Sequence, residues 1–389
     1  MVAIVHEHPP DPARLTADLK ERARELGFDL VGVTSAAPFE ELQRVLLRWM
    51  ERGLFDGLGE ITEESIRRSC DPQALLPGAR SIVSAAICYL TRSPTVPDDT
   101  PRGRVGRFAW GGDYTELLSD RLHRLVDFLA DRLGRRPRAR IFANSGAILD
   151  RGAAERAGVG WQGKHTGILT RRFSSWVLLG EIVTDVELVP DEPAPASCGT
   201  CRRCIDACPT EAIVAPYEVD VSRCIAYLTV EHQGPIPEAL RPRMGAWVFG
   251  CDICQEVCPW SQRAVPLDRP EFKPSSVEAA APSLIPLLGL SAEGFATTFG
   301  DTPLRRAGRT LVLRNAAVAL GNLGDPSAVP ALADALDDPE PLVRGHAAWA
   351  LGRIGGPSAR RALEEALARE EHPNVRGELQ AALSSLAAG

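Results

Sequence analysis

Leu15, Leu19, Ala23 and Leu26 recur at helical spacing, and Gly27 separates them from a short apolar run at 30–33. That change of period predicts a helix followed by a strand. Residues 81–89 are apolar almost throughout and predict a buried strand. Leu118, Leu122, Leu125, Leu129 and Leu133 mark a long amphipathic helix ending before Gly134. Another strand is predicted at 176–184, ahead of the proline-rich stretch 190–197, which reads as a domain boundary. Strands alternating with helices predict an α/β domain over residues 1–190.

Beyond about residue 300 the pattern turns alanine- and leucine-rich, and it repeats. VLRNAAVALGNLGDPSAVPALADAL, from Val312, is echoed by LVRGHAAWALGRIGGPSARRALEEAL from Leu342. Arg314 and Arg344 stand 30 residues apart, Pro326 and Pro357 stand 31 apart, and an incomplete third copy starts near Asn374. Two helices per unit with a glycine- and proline-containing turn resemble HEAT-like repeats, with a period shorter than the usual 40 or so. Such units stack to bury a common core and often expose a binding face. They close a third region, 266–389, made of a linker and the repeats.

At 389 residues the chain is too long for one ordinary core. Its content of 44% hydrophobic and 24% charged residues is that of a folded protein. It has no basic start followed by an apolar stretch, no twin arginine near the start, and nowhere eighteen apolar residues in a row. A cytoplasmic protein with no membrane partner is expected. A net charge of −7 argues against a protein that coats nucleic acid non-specifically. Local basic groups remain candidates for binding it: Arg102, Arg104 and Arg107; Arg135, Arg136, Arg138 and Arg140; and Arg305, Arg306 and Arg309. Solvated surface is the plain alternative for each.

The cysteines change the picture most. Eight of the ten lie between Cys198 and Cys258, leaving Cys70 and Cys88 outside. In a reducing compartment such crowding predicts metal ligands rather than disulfides. Cys198, Cys201, Cys204 and Cys208, followed by Pro209, form C-x-x-C-x-x-C-x-x-x-C-P. In the two-cluster ferredoxin pattern the fourth thiolate of such a run serves the other cluster. The second set is Cys224, Cys251, Cys254 and Cys258, followed by Pro259. By the same crossing rule, one [4Fe-4S] cluster takes Cys198, Cys201, Cys204 and Cys258, and the other takes Cys208, Cys224, Cys251 and Cys254. Zinc also takes four cysteines, but in paired C-x-x-C units. The 26 residues between Cys224 and Cys251 exceed what a minimal ferredoxin needs and point to a second task for that loop. Cys70 and Cys88 are expected to be buried apolar residues. This places a ferredoxin-like two-cluster domain at 191–265.

Segments outside the cysteines carry a resemblance. They are LLPGARSIVSAAICY at 75–89, RFAWGGDY at 107–114, AERAGVGWQGKHTGIL from Ala154, LLGEIVTD at 178–185, CIAYLTVEHQGPIPEALRPRMG from Cys224 and GCDICQEVCPW at 250–260. Together they resemble the epoxyqueuosine reductase family over nearly the whole chain. The resemblance implies a multidomain α/β protein: an N-terminal α/β cobalamin-binding domain, a ferredoxin-like domain above the corrin, and HEAT-like repeats that help hold a tRNA. It implies that electrons pass from two [4Fe-4S] clusters to cobalamin. Epoxyqueuosine in the tRNA anticodon is thereby reduced to queuosine with loss of water, the last step of queuosine biosynthesis. A monomer served by an external donor such as flavodoxin or ferredoxin is expected. With no D-x-H-x-x-G element, a cobalamin here should bind without a histidine on cobalt.

For the site residues, the resemblance implies a proton-donating aspartate where this chain has Asn144, in ANSGAILDR at 143–151. An amide can hydrogen-bond to the oxygen but cannot act as a general acid near neutral pH. Three readings compete: an engineered substitution that traps a complex, a natural variant that uses Asp150 or water, or a relative with altered chemistry. Phe108 and Thr115 also depart from the family's frequent tyrosine and histidine. The corrin is expected against Asn144, Lys164, His165, Thr166 and Ile168, with Cys251 and Asp252 above it. The glycines around Lys164 let backbone approach a flat ligand. Arg151, His232, Arg305 and Arg306 are the expected substrate or tRNA contacts. Two other classes also use such cysteines: a cobalamin-dependent reductive dehalogenase, and a non-catalytic two-cluster electron carrier with the repeats as its docking surface.

Overall fold

The computed structural model describes residues 11–143 and 149–388. Its strands are β1 (Leu30–Ser35), β2 (Ser81–Cys88), β3 (Arg104–Val105), β4 (Ala139–Ala143), β5 (Trp161–Gln162), β6 (Ile168–Leu169), β7 (Val177–Thr184), β8 (Ile213–Ala215), β9 (Glu218–Val219) and β10 (Trp247–Phe249). The predicted helices are Pro12–Glu25, capped by Asp11, and Tyr114–Leu133, capped by Asp113 and ended by a left-handed Gly134. Gly134 succeeds there because a residue without Cβ enters the left-handed region freely.

The main sheet has the order β1-β2-β7-β4, and all three ladders are antiparallel. Alternating strands and helices more often build a parallel sheet. Here β2 and β4 do run the same way, but β7 inserts between them in the opposite sense. One face carries Val83 and Ile182 and packs on Leu15, Leu19, Leu118 and Leu122 of the two long helices. The other carries Ile82, Phe142 and Val183 against Ile66, Leu75 and Ala153, and then Ala86 against Ala154, Ala157 and Ile168. Gly32 of β1 is obligatory at this second face, because a Cβ would lie 2.0 Å from the Ala157 carbonyl oxygen. That contact seats helix Asp150–Arg156, which follows the position expected to carry the proton donor.

The three regions read from the sequence share cores instead of each closing its own. β3, from the first region, pairs in parallel with β10 of the cysteine region. Val105 and Trp110 join Trp247, Phe249, Leu284 and the repeat helices in one cluster, while Phe272 packs into the core beside the main sheet. The segment between the cysteines and residue 300, unpatterned in the sequence, holds short helices at Val277–Ala280, Leu284–Leu288 and Ala292–Phe299.

Helices Gly308–Leu323, Pro341–Ile354 and Pro373–Ala388 stack side by side, with Pro357–Arg369 outside them. Their polar side chains grip the 26-residue loop between Cys224 and Cys251. Arg314 is fully buried and donates to the carbonyls of Leu228, His232 and Gly234 at 2.5–2.8 Å. Asn315 donates to Thr229 O and Val248 O, and Asn322 to Arg241 O and Gly245 O. From the loop side, Arg241 makes a two-pronged pair with Glu378, and Ile236 N donates to His346 Nε2. The repeats therefore clamp the segment that spaces two cluster ligands.

Arg344 occupies the equivalent position in the next repeat and turns elsewhere, to the Asp338 carbonyl and to both oxygens of Glu370 at 2.7 and 2.9 Å. The hydrogen bonds from Arg344 pull the Glu370 carboxyl from its ordinary 4.5 down to about 2. A depressed carboxylate stabilises the fold above its unfolded pKa and loses that contribution as pH falls through its folded value. Glu370→Gln is expected to lower stability at pH 7 by about 1–3 kcal/mol. Urea unfolding at a series of pH values should show the gap to the parent closing between pH 4.5 and 2, and a gap that ignores pH would contradict the pairing.

Candidate redox site

Cys198, Cys201, Cys204 and Cys258 line one hollow of about 250 Å³, together with Lys164, His165 and Trp260. Three come from the tight run and the fourth from the far end of the cysteine region. Trp161 of β5 and Trp260 meet edge-on at 4.9 Å in an apolar cluster with Cys198 and Cys258, and Trp260 lines the hollow. Cys208, Cys224, Cys251 and Cys254 lie near enough to feel one another's charge. Burial pushes the Cys254 thiol well up, with the charges of Cys251, Cys224 and Asp252 adding to it; burial also raises Cys251, to which Cys224, Asp252 and Cys208 contribute. Ala212 N donates to the Cys208 sulfur at 3.3 Å. Among the described residues no three His, Cys, Asp or Glu side chains converge on a single ion. Cys70 and Cys88 are buried, as expected of apolar residues.

The residues expected against a corrin make different contacts. Lys164 and His165 sit at the tip of the β5–β6 hairpin, closed by Gly163 N donating to Gly167 O. The Lys164 ammonium donates to Gly199 O at 2.7 Å and Cys201 O at 2.9 Å, fastening the cysteine run. His165 turns into the cluster hollow, and Ile168 packs inward against Ala86 and Ala154. Only the backbone of these three is left for a flat ligand. Thr166 has φ 67° and is partly exposed, with Arg151 Nη1 3.3 Å from its carbonyl oxygen and 3.4 Å from its hydroxyl. This backbone, hydroxyl and guanidinium set fits the amide- and hydroxyl-rich periphery of cobalamin.

Asp252 is buried, and burial raises its carboxyl to about 6 although Arg107 N donates to it at 2.8 Å. Gln255 Nε2 also reaches it at 3.3 Å, and the oxygen of that amide accepts from Tyr89 and Ser175. This chain of bonds ties the cysteine loop to the strand–helix region. Asn144 lies outside the described residues. Arg305 and Arg306 both pair with Asp113, the cap of helix Tyr114–Leu133, so they join the repeats to the first region. His232 is partly buried, bonds Pro235 O through Nε2 and stacks near Tyr227. Glu181 went unremarked in the sequence, although a carboxylate within an apolar strand was the available signal. It is buried in β7, burial raises its pKa, Asp150 adds to the rise, and Ser84 donates to Oε1 at 3.2 Å. Its Oε2 has no partner among the described residues.

Three families match parts of the chain: the 4Fe-4S double cluster binding domain at residues 197–261, HEAT repeats at 304–384, and epoxyqueuosine reductase QueG, DUF1730, at 69–145. The epoxyqueuosine reductase of Pseudomonas aeruginosa is 42% identical over 349 residues, 87% of this chain and 94% of that protein. The chain belongs to the epoxyqueuosine reductase family. The Bacillus cereus epoxyqueuosine reductase is 38% identical over 383 residues, 97% of this chain and 99% of the relative. A crystal structure of epoxyqueuosine reductase with an epoxyqueuosine-modified tRNA-Tyr stem loop superposes with a TM-score of 0.91 at 36% identity, covering 96% of this chain and 99% of that one. The Bacillus subtilis epoxyqueuosine reductase, with its catalytic loop swung out of the active site, gives 0.89 over the same shares. As an epoxyqueuosine reductase family member the chain is an oxidoreductase with a double iron–sulfur cluster domain. That membership sets aside the dehalogenase and the non-catalytic carrier. No helix among the described residues is long and apolar enough to cross a membrane.

Proposed function

We propose that this chain reduces epoxyqueuosine to queuosine in the anticodon of a tRNA, as the last step of queuosine formation, in the cytoplasm and as a monomer. The observation that carries the reading is the gathering of four cysteines round one hollow, next to a hairpin tip whose backbone, Thr166 hydroxyl and Arg151 guanidinium suit cobalamin. Each turnover consumes two electrons and two protons: the epoxide carbons become an alkene and the oxygen leaves as water. A bound cobalamin supplies the low-potential reductant, and an external carrier such as flavodoxin or ferredoxin recharges the clusters.

The chain's own residues divide the remaining work. Cys198, Cys201, Cys204 and Cys258 hold one cluster, and Cys208, Cys224, Cys251 and Cys254 the other. Thr166 and Arg151 flank the corrin, while Asp252 fixes the cysteine loop above it. Arg151 also approaches the RNA, with His232 on the clamped loop. Arg305 and Arg306, held by Asp113, shape the surface the RNA meets. Asn144 orients the epoxide oxygen by hydrogen bonding. The proton it cannot give comes from Asp150 or water. The three regions, 1–190, 191–265 and 266–389, thus serve cofactor, electrons and RNA.

The test is a single turnover of the anaerobically reconstituted chain with cobalamin and an epoxyqueuosine-containing tRNA stem loop, read by mass spectrometry of the digested RNA. Queuosine is the expected product. A chain that retains both clusters yet binds neither cobalamin nor the stem loop would leave electron transfer alone standing.

A further inference from the structure

The hollow lined by Cys198, Cys201, Cys204 and Cys258 is open on one side. Cys204 and Cys258 are buried, but Cys198 and Cys201 are partly exposed, and Gly199 and Thr200 between them are exposed. Cys198 and Cys201, with Arg203 and Pro259, also line a second, shallow depression. A cluster in the hollow therefore comes to the surface along the Cys198–Cys201 edge.

The rim of that opening is basic. Arg203 and Arg263 line the hollow, Arg202 lines the depression, and all three are exposed. Arg171 donates to the Pro195 carbonyl at 3.2 Å, just ahead of Cys198 in the chain. Asp206 is the single acid among the described residues that line either hollow, and it meets Arg202 at 3.5 Å in a solvated pair that neutralises little. Arg203 and Arg263 form no ion pair among the described residues; Arg263 lies over the Trp260 ring at 5.6 Å. The basic groups that stood out in the sequence differ, since Arg104, Arg138 and Arg305 each pair with an acid. Lys164, the buried cation of the hollow, is also taken up, by Gly199 O and Cys201 O. Unpaired arginines on a chain of net charge −7 are thus gathered round the mouth of the redox centre.

We propose that this rim is the docking face for the electron donor, a small carrier whose own redox centre is ringed by carboxylates. The assignment rests on the reading of the chain as a reductase recharged by an external carrier. One electron leaves the carrier and enters the cluster at each encounter, so two encounters supply one turnover. Repulsion from the rest of an acidic chain and attraction at this rim turn the carrier's centre toward Cys198 and Cys201. Electron-transfer contacts are small and transient, so a few unpaired arginines suffice. RNA is the other polyanion such a rim could meet, but the open thiol edge at its middle favours a redox partner.

The test is stopped-flow reduction of the anaerobically reconstituted full chain by a reduced, strongly acidic flavodoxin. The parent is compared with Arg203→Glu/Arg263→Glu and with Arg202→Glu/Arg203→Glu, which leaves the stack on Trp260 untouched. At low ionic strength the second-order rate constant of both variants should fall about tenfold or more, and the gap should close as salt screens the charges. Reduced methyl viologen, a small cation, should reduce parent and variants without such a loss. Variants that keep both clusters and take electrons from flavodoxin as fast as the parent would overturn the proposal. Equal slowing with methyl viologen overturns it too, by showing that the arginines act on the cluster and not on the carrier. So does weakened binding of the tRNA stem loop at an unchanged flavodoxin rate, which makes the rim an RNA surface, and so does a parent that neither flavodoxin nor an equally acidic ferredoxin can reduce. A parent reduced through this rim that makes no queuosine would sink the substrate reading and leave the docking face standing.

Discussion

Asn144→Asp should speed queuosine formation by about 10²- to 10⁴-fold in single turnover, the range a positioned general acid contributes. The epoxide oxygen departs as an alkoxide unless a proton reaches it as the bond breaks. An asparagine amide can donate a hydrogen bond there but does not release its proton near neutrality. A carboxylic acid in the same place does both. Because the acid must be protonated to act, the gain should fall as pH rises through its pKa, while the asparagine form changes little over that range. Affinity for the tRNA stem loop should hardly differ, since both side chains are short and polar. Equal rates for the two forms would show that the proton comes from elsewhere, with Asp150 the next residue to substitute.

Arg314→Met is the largest expected effect on stability, about 2–4 kcal/mol. Two terms oppose each other. Removing the guanidinium strands the carbonyls of Leu228, His232 and Gly234, each worth about 1–3 kcal/mol when left unbonded in the interior. Against that, the arginine is itself a buried charge with no carboxylate partner among the described residues, and burial drags its pKa down to about 9, so its loss relieves part of the desolvation cost. Three stranded acceptors outweigh one relieved cation. The damage should spread to the clusters, because the freed loop runs from Cys224 to Cys251. Denaturant unfolding should give the stability loss, and iron release under mild chelation should quicken with it. A variant within about 0.5 kcal/mol of the parent would mean that the clamp is decoration.

Much of this molecule was legible as a pattern. The periods of 15–26, 118–133 and 81–89 gave helix, helix and strand within a few residues of their observed bounds, because each buries a single face or is buried on both. The repeat was legible because Arg314 and Arg344 recur with their glycine and proline turns. What each arginine does was not, since one reaches back into the cysteine loop and the other into its own repeat. Glycines around Lys164 signalled a tight turn, but spacing could not say which way the imidazole of His165 would point.

The sequence by itself determined the chemistry: eight cysteines at fixed intervals specify ligand number and order locally, and the helical and strand periods are local as well. The packing of the folded chain set that β7 enters between β2 and β4 and that the repeats close on the 225–250 loop. Those outcomes depend on contacts between residues far apart in the chain, such as Ser84 with Glu181 or Arg241 with Glu378. Burial of side chains and pairing of backbone groups choose among many such contacts at once, and no short stretch of sequence carries that choice.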